Sequence, residues 1–307
     1  MKFTIFQESR KGARKSNQDR LGYSFSRDAL LMVVADGMGG HLHGEVAAHI
    51  AVRFLAEAFE REATPTLGDP FLFLHKSITN AHHALVDYAR ARALKETPRT
   101  TCVACVVKDA VAYWAHVGDS RLYHVRDGRI DAQTRDHSRV QMLVTQGRMR
   151  EEAVAAHPER NRIFNCVGGA SPPQVELSKK TALRKGDTLL LCTDGLWGPL
   201  SSKIITAALL KDDIMKAMPL LLDAAETRAG READNLSVIA MTWTASATGA
   251  EAGEISTQTL EMDGFSTQLE DFGETLYDQT GLSDEEIERA IEEIRDAIGK
   301  HSTEKPP

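Results

Sequence analysis

The amino-acid sequence predicts an α+β protein in which helices pack outside antiparallel β-sheets. Two observations carry this. Many short segments are near-continuous apolar runs of strand length, which implies strands covered on both faces. Their order is the second: three strands, two long helices, more strands, then helices again. That is not the regular strand–helix alternation of a parallel sheet.

Strands are read at 3–7, 21–26, 30–35, 101–107, 111–117, 122–125, 175–179, 188–192 and 236–243. In "VRDGRI", Asp127-Gly128 stands between two short strands as a hairpin turn. A helix is read over 45–62 from the stripe Val46, Ile50, Phe54, Leu55 and Ala58. Another covers 71–94 with Leu74, Ile78, Ala81, Leu85 and Tyr88. Further helices are expected over 138–146, 150–155, 201–210 and 214–229.

The chain has 307 residues, 42% hydrophobic and 26% charged, enough to bury the core of one large or two small domains. Its longest apolar run, 29–35, stops at Asp36, far short of a membrane span. The start, "MKFTIFQESRKGARK", lacks the apolar centre and small-residue cleavage site of a secretory signal. A cytoplasmic location and no membrane partner are expected. Four cysteines agree with a reducing compartment. Cys102 and Cys105 lie three apart on a strand and so point to opposite faces, which disfavours a shared zinc or a disulfide. Cysteine-based phosphoester chemistry needs C-x5-R, and Lys108, Val111, Pro172 and Gly198 stand at the arginine positions.

Charge divides the chain. Residues 1–244 carry 33 basic and 28 acidic side chains, whereas 245–307 carry 4 and 16. The boundary is the small, polar run "TASATGAEAGE". Residues 1–244 read as one globular catalytic body, 245–282 as an acidic linker with Thr/Gln repeats ("STQTLEMDG", "STQLEDFG") and a disordered composition. Residues 283–300 read as an amphipathic helix and 301–307 as a disordered end. Ser283 and Glu286 form that helix's capping box, Leu282 staples onto Ile287, and Gly299 ends it. Its stripe of Ile287, Ala290, Ile291, Ile294 and Ile298 is suited to docking on a partner or on the body. A nucleic-acid partner is not expected, because the body's basic excess is small and no basic run is interleaved with aromatics.

Five aspartates stand at strand boundaries. Asp36 follows a strand in "VVADGMGG", Asp194 in "LLLCTDGLWG" and Asp119 in "AHVGDSR". Asp234 precedes one in "ADNLSVIAM", and Asp19 precedes another in "RKSNQDR". Singly, each is an ordinary turn residue. Brought to one edge of a sheet they would repel one another unless cations neutralised them. Carboxylates without His or Cys partners suit magnesium or manganese. Two such ions can hold and acidify a water that attacks a phosphoester without any side-chain nucleophile.

Here the sequence resembles the metal-dependent type 2C protein Ser/Thr phosphatases in their compact bacterial form. The resemblance covers residues 1 to about 243. It rests on "RKSNQDR", "VVADGMGGHLHGE", "RTTCVAC", "AHVGDSRLY", "TRDHS", "LLLCTDGLW" and "ADNLSVI", in the family's order. It implies a central sandwich of two antiparallel sheets with helices on both outer faces. It implies that Asp36 bridges two core metals, that Gly37 offers its carbonyl to one, and that Asp194 and Asp234 ligate the other. Asp119, with Asp194, would hold a weaker third metal. Asp19 would orient metal-bound waters, and Arg14 would grip the substrate phosphate. Asn235 is expected to fix local backbone.

Three positions depart from the family. Met38 stands where some members carry a histidine proposed as general acid, so the leaving oxygen would take its proton from solvent at the metals rather than from this side chain. Gln18 replaces a frequent acid, and Arg99 a frequent glycine. His41 and His43 are nearby but read as surface or packing residues, as do His82 and His83. Thr101 is expected near the third metal. Residues 136–170 resemble the family's flap, with an atypical "NCVGG".

The function expected is hydrolysis of phosphoserine or phosphothreonine on protein substrates, opposing a bacterial Ser/Thr kinase. Two alternatives stand beside it: a phosphoprotein-binding module with weak catalysis, or a regulatory phosphatase acting on an anti-sigma antagonist. The tail's threonines offer sites for a phosphothreonine-binding partner.

Overall fold

The structure is a computed structural model, and it describes residues 1–39, 42–64, 66–150, 153, 157–159, 162–244 and 266–269. In chain order the elements are β1 (Phe3–Arg10), β2 (Asp19–Phe25), β3 (Ala29–Met38), α1 (Leu42–Glu62), α2 (Pro70–Ala91), β4 (Arg99–Thr100), β5 (Cys102–Lys108), β6 (Val111–Val117), β7 (Arg121–Arg126) and β8 (Arg129–Gln133). There follow α3 (Arg139–Thr145), β9 (Glu176–Leu177), β10 (Thr181–Ala182), β11 (Thr188–Cys192), α4 (Asp194–Trp197), α5 (Ser202–Lys211), α6 (Ile214–Ala229), β12 (Leu236–Trp243) and β13 (Ser266–Leu269).

The strands form two antiparallel sheets. One has the order β1-β12-β11-β7-β8. The other has β10-β6-β5-β3-β2-β13, with β4 added to β3 and β9 to β6. The period-2 alternation of strand side chains sorts the apolar runs into layers. On β3, Leu30, Met32 and Val34 face the core between the sheets, while Leu31, Val33 and Ala35 face α1 and α2. On β12, Ile239, Met241 and Trp243 enter the inter-sheet core, and Leu236, Val238 and Ala240 pack toward α4, α5 and α6. Runs apolar on both faces are therefore strands buried on both faces, and the architecture is helix, sheet, sheet, helix. Cys105 falls in the inter-sheet core and Cys102 on the helix side, both as buried free thiols. The hairpin at Asp127-Gly128 forms with φ of 50° and 68°, joining β7 to β8.

Three features differ from the sequence expectation. β3 does not stop at Asp36, because Gly37 and Met38 pair with Thr100 and Arg99 of β4. The region 175–179 contributes only the two-residue strand β9. Within the linker expected over 245–282, Ser266–Leu269 is a strand on the edge of β2. The helix expected over 150–155 falls mostly outside the described residues, and that over 283–300 wholly so.

Candidate metal centre

Asp19 opens β2 and stands directly opposite Asp36 in the β2–β3 ladder. Asp119 lies in the turn after β6. Asp194 is the first residue of α4, immediately past β11, and Asp234 lies just before β12. The two sheets thus bring all five aspartates to one edge of the sandwich. Asp36 senses the charges of Asp19, Asp194, Asp119 and Asp234 together.

Hydrogen bonds from other parts of the chain hold several of these aspartates in place. The backbone of Asp36 is clamped by consecutive threonines: its N–H donates to Thr101 Oγ1 at 2.9 Å. Its carbonyl accepts from Thr101 N and Thr100 Oγ1, both at 2.8 Å. The Thr101 hydroxyl stands between this N–H and the Ser120 hydroxyl, 2.7 Å away. Asp19 Oδ2 accepts from Thr193 Oγ1 at 2.9 Å. Asp234 Oδ1 accepts from the Asn235 N–H at 2.8 Å, and its Oδ2 receives Arg14 at 2.7 Å. Asn235 fixes backbone as expected: its side chain takes the Gln18 N–H and donates to the Lys11 and Ser16 carbonyls. A Cβ on Gly37 would stand 2.2 Å from the Gly44 carbonyl oxygen. The glycine is therefore dictated by the start of α1 pressing on this strand end.

Asp119 has supports that its own motif does not announce. Its carbonyl accepts the Trp197 indole N–H at 3.1 Å. Arg121 stacks on that indole at 3.7 Å and makes a bidentate pair with Asp136, both bonds 2.8 Å. His137 Nδ1 accepts from the Gly118 N–H at 3.1 Å, and the His137 backbone N–H donates to the Gly118 carbonyl at 2.9 Å. Gly118 has φ of +102°, and a Cβ there would collide with Thr101 at 2.7 Å. "TRDHS" thus supplies Asp136 and His137 as props of the Asp119 turn, a role that only the folded chain reveals.

The electrostatics are those of crowded like charges. Burial pushes Asp19 up to about 8; hydrogen bonds from Ser237 and Thr193 oppose it, and Asp194 and Asp234 add to it. Burial first, then the other carboxylates, raise Asp36 well above the usual carboxylate range. Asp119 is raised likewise by burial, Asp194 and Asp136, with Arg121 opposing. Asp19 Oδ1 is buried with no hydrogen-bond partner, an arrangement costly for a carboxylate left alone. An all-oxygen donor set, an orphaned buried oxygen and mutual repulsion fit hard divalent cations. Beside Asp194 and Asp234 opens a cavity of about 540 Å³ whose wall includes Arg14, Trp197, Arg228 and Arg231.

Among the described residues the trio whose ligand atoms all lie within 4.8 Å of one another is His116, His137 and Glu176, not the aspartates. Hydrogen bonding argues against a metal there. His137 Nδ1 accepts from two donors, Gly118 N–H and Asn165 Nδ2 at 2.8 Å. Asn165 is itself oriented by Gln174 through both side-chain ends. The proton must then sit on His137 Nε2, which donates to Glu176 Oε2 at 3.3 Å and has no lone pair to offer. The aspartate edge remains the candidate centre. Met38 is half-buried opposite Arg99, His43 is exposed, and His41 lies outside the described residues. His82 is buried and accepts the Gly168 N–H, tying the loop around Gly168 to α2.

Residues 7–229 match the family described as Protein phosphatase 2C. A putative protein phosphatase 2C-type of Streptococcus pyogenes is 32% identical over 227 residues, 73% of this chain and 91% of its own. The serine/threonine protein phosphatase PstP of Mycobacterium tuberculosis is 32% identical over 231 residues, 75% of this chain and 43% of its own. Among solved structures, the Streptococcus agalactiae serine/threonine phosphatase superposes with a TM-score of 0.71 at 30% identity, covering 78% of this chain and 99% of that one. The catalytic domain of PstP in complex with two manganese ions superposes at 0.67 with 28% identity, covering 79% and 99%. No helix among the described residues is long and apolar enough to cross a membrane. The fold, the aspartate edge and these similarities together place the chain in the type 2C protein phosphatase family, as a metal-dependent Ser/Thr protein phosphatase of the bacterial kind.

Proposed function

We propose that the aspartate edge would hold two Mn²⁺ or Mg²⁺ ions through Asp36, the Gly37 carbonyl, Asp194 and Asp234. Asp119 with Asp194 supplies a weaker third position. The observation that carries this is the convergence of five carboxylates on a single sheet edge, where burial and neighbouring charge raise Asp36, Asp119 and Asp19. When bound, the ions acidify the water that attacks phosphorus and neutralise the phosphoryl oxygens.

The chain's own residues do the rest. Arg14, more than half exposed and tethered to Asp234 by one Nη2, swings its fork onto the substrate phosphate at the mouth of the cavity. Asp19 Oδ1, without a partner inside the protein, accepts a hydrogen bond from the attacking water and orients its lone pair. Thr193 holds the other oxygen, so the carboxylate cannot rotate away. Attack forms the new O–P bond and breaks the bond to the serine or threonine oxygen. That oxygen takes its proton from solvent, since the Met38 thioether has none to give.

The substrates are phosphoserine and phosphothreonine proteins, and the opposing enzyme is a Ser/Thr kinase. The tail, with its threonines and the stripe over 283–300, is proposed to meet a phosphothreonine-binding or helix-docking partner. The test is hydrolysis of a phosphothreonine peptide by the full chain with manganese, with magnesium and with chelator, alongside Asp36→Asn and Asp194→Asn. Metal-dependent turnover lost in both variants is expected. A folded protein inactive with either metal overturns the reading and leaves a phosphoprotein-binding module.

A further inference from the structure

We propose that the outer edge of β2 is a selective strand-docking site, and that its ligand is the chain's own segment Ser266–Leu269, which anchors the acidic tail to the catalytic body. β2 ends the order β10-β6-β5-β3-β2 among the strands of the body, so its outer edge presents unpaired backbone groups. Ser266–Leu269 adds antiparallel to it, with Ser266 opposite Phe25, Thr267 opposite Ser24, Gln268 opposite Tyr23 and Leu269 opposite Gly22.

Two side-chain features make the edge selective. Gly22 lies in the interior of β2, where glycine weakens a strand unless something must approach closely. Here something does: a Cβ at Gly22 would stand 2.5 Å from Leu269 Cδ2 and 3.0 Å from the Gln268 carbonyl oxygen. Leu269 also packs against the core between the sheet and α1 and α2. The second feature is a hydroxyl relay. Thr267 Oγ1 donates to Glu60 in the last turns of α1, so it must accept at 2.7 Å from the fully buried Ser24 hydroxyl. Negative charge at Thr267 removes that donation and meets the Glu60 carboxylate, so docking depends on the state of this one hydroxyl.

The same pattern explains which half of the tail repeat is used. Thr267 and Leu269 are two residues apart and point to the same side of a strand. In the upstream copy, "STQTL", Thr257 and Leu260 are three apart and point to opposite sides. Thr257 opposite Ser24 would leave Thr259 over Gly22, and Leu260 over Gly22 would leave Gln258 opposite Ser24. Only the second copy satisfies both positions in one register.

The test uses the full chain and hydrogen exchange of the β2 amides, read by mass spectrometry. Leu269→Lys and Thr267→Glu are expected to speed exchange of the peptide covering Asp19–Phe25 by about tenfold or more. Metal-dependent hydrolysis of p-nitrophenyl phosphate should stay unchanged, and Thr267→Ser should match the wild type. β2 exchange that is the same in wild type and Leu269→Lys overturns the docking. Exchange raised by Leu269→Lys but not by Thr267→Glu overturns the hydroxyl relay. Gly22→Val should reproduce the Leu269→Lys result, but the tail variants carry the test because they leave β2 untouched.

Discussion

β11 carries an aspartate just beyond each of its ends, and the two meet opposite fates. Asp187, before the strand, is buried and receives two bonds from Arg126 at 2.8 and 2.6 Å, the Arg184 N–H at 2.8 Å and His124 at 3.1 Å. Burial alone would raise its proton affinity, but these donors outweigh it and hold the carboxyl below its usual range. Asp194, after the strand, joins Asp36, Asp119 and Asp19, where burial and like charge push the same way. Desolvation is common to both ends, so the partners decide. One end carries its own cation in Arg126. The other gathers more carboxylates than the nearby Arg14 and Arg121 offset, which is what a metal-dependent hydrolase needs.

The largest expected effect breaks the crowded end. Asp36→Asn should lower kcat/KM for a phosphothreonine peptide in manganese by about three orders of magnitude, the scale for losing one preorganised electrostatic group. The same variant should melt higher than wild type in chelator, because a like charge is gone. A lower melting temperature in chelator would mean that Asp36 is structural, as Asp187 is. Arg14→Ala should come next, losing about 10- to 100-fold in kcat/KM through loss of a charge-assisted contact, with chelator stability unchanged. Asp187→Asn should do the reverse, costing about 1.5–3 kcal/mol in urea unfolding while leaving metal-dependent turnover in place.

A pH series in chelator sharpens the contrast. The folded Asp187 has a lowered pKa, so its stabilisation is present above its unfolded value and lost as pH falls through the folded one. Asp19, pushed up to about 8, has the opposite sign. The native state keeps a proton that the unfolded chain releases near pH 4, so stability falls as pH rises from about 4 through about 8. The urea midpoint should therefore be highest near pH 4–5 and decline toward pH 8. A flat profile over that range would contradict the crowding. The smallest effect concerns the tail. Its excess of acid against a basic body should make removal of residues 245–307 change the salt dependence of peptide turnover by no more than a few-fold, since exposed charges are screened beyond about 8–10 Å.

Much of this was legible in the chain itself. Apolar runs of strand length, helical stripes and Asp-Gly turns are local signals, and they located β6, β11, β12 and α6 end for end. Aspartates at strand boundaries in a recurrent order marked the chemistry, because hard-cation sites need carboxylates and little else. Other features were decided only in three dimensions. That β3 runs past Asp36 depends on two residues of β4, and that Thr101 clamps the Asp36 backbone depends on Ser120 and Asp36 meeting it. His137 and Trp197 reach the Asp119 turn from separate parts of the sequence, and Ser266–Leu269 pairs with an edge that carries Gly22 and Ser24 two residues apart. Local propensity and periodicity act over a few residues and can be read along the chain. Which polar groups satisfy one another across the fold is set by long-range pairing, and no spacing in the sequence records it.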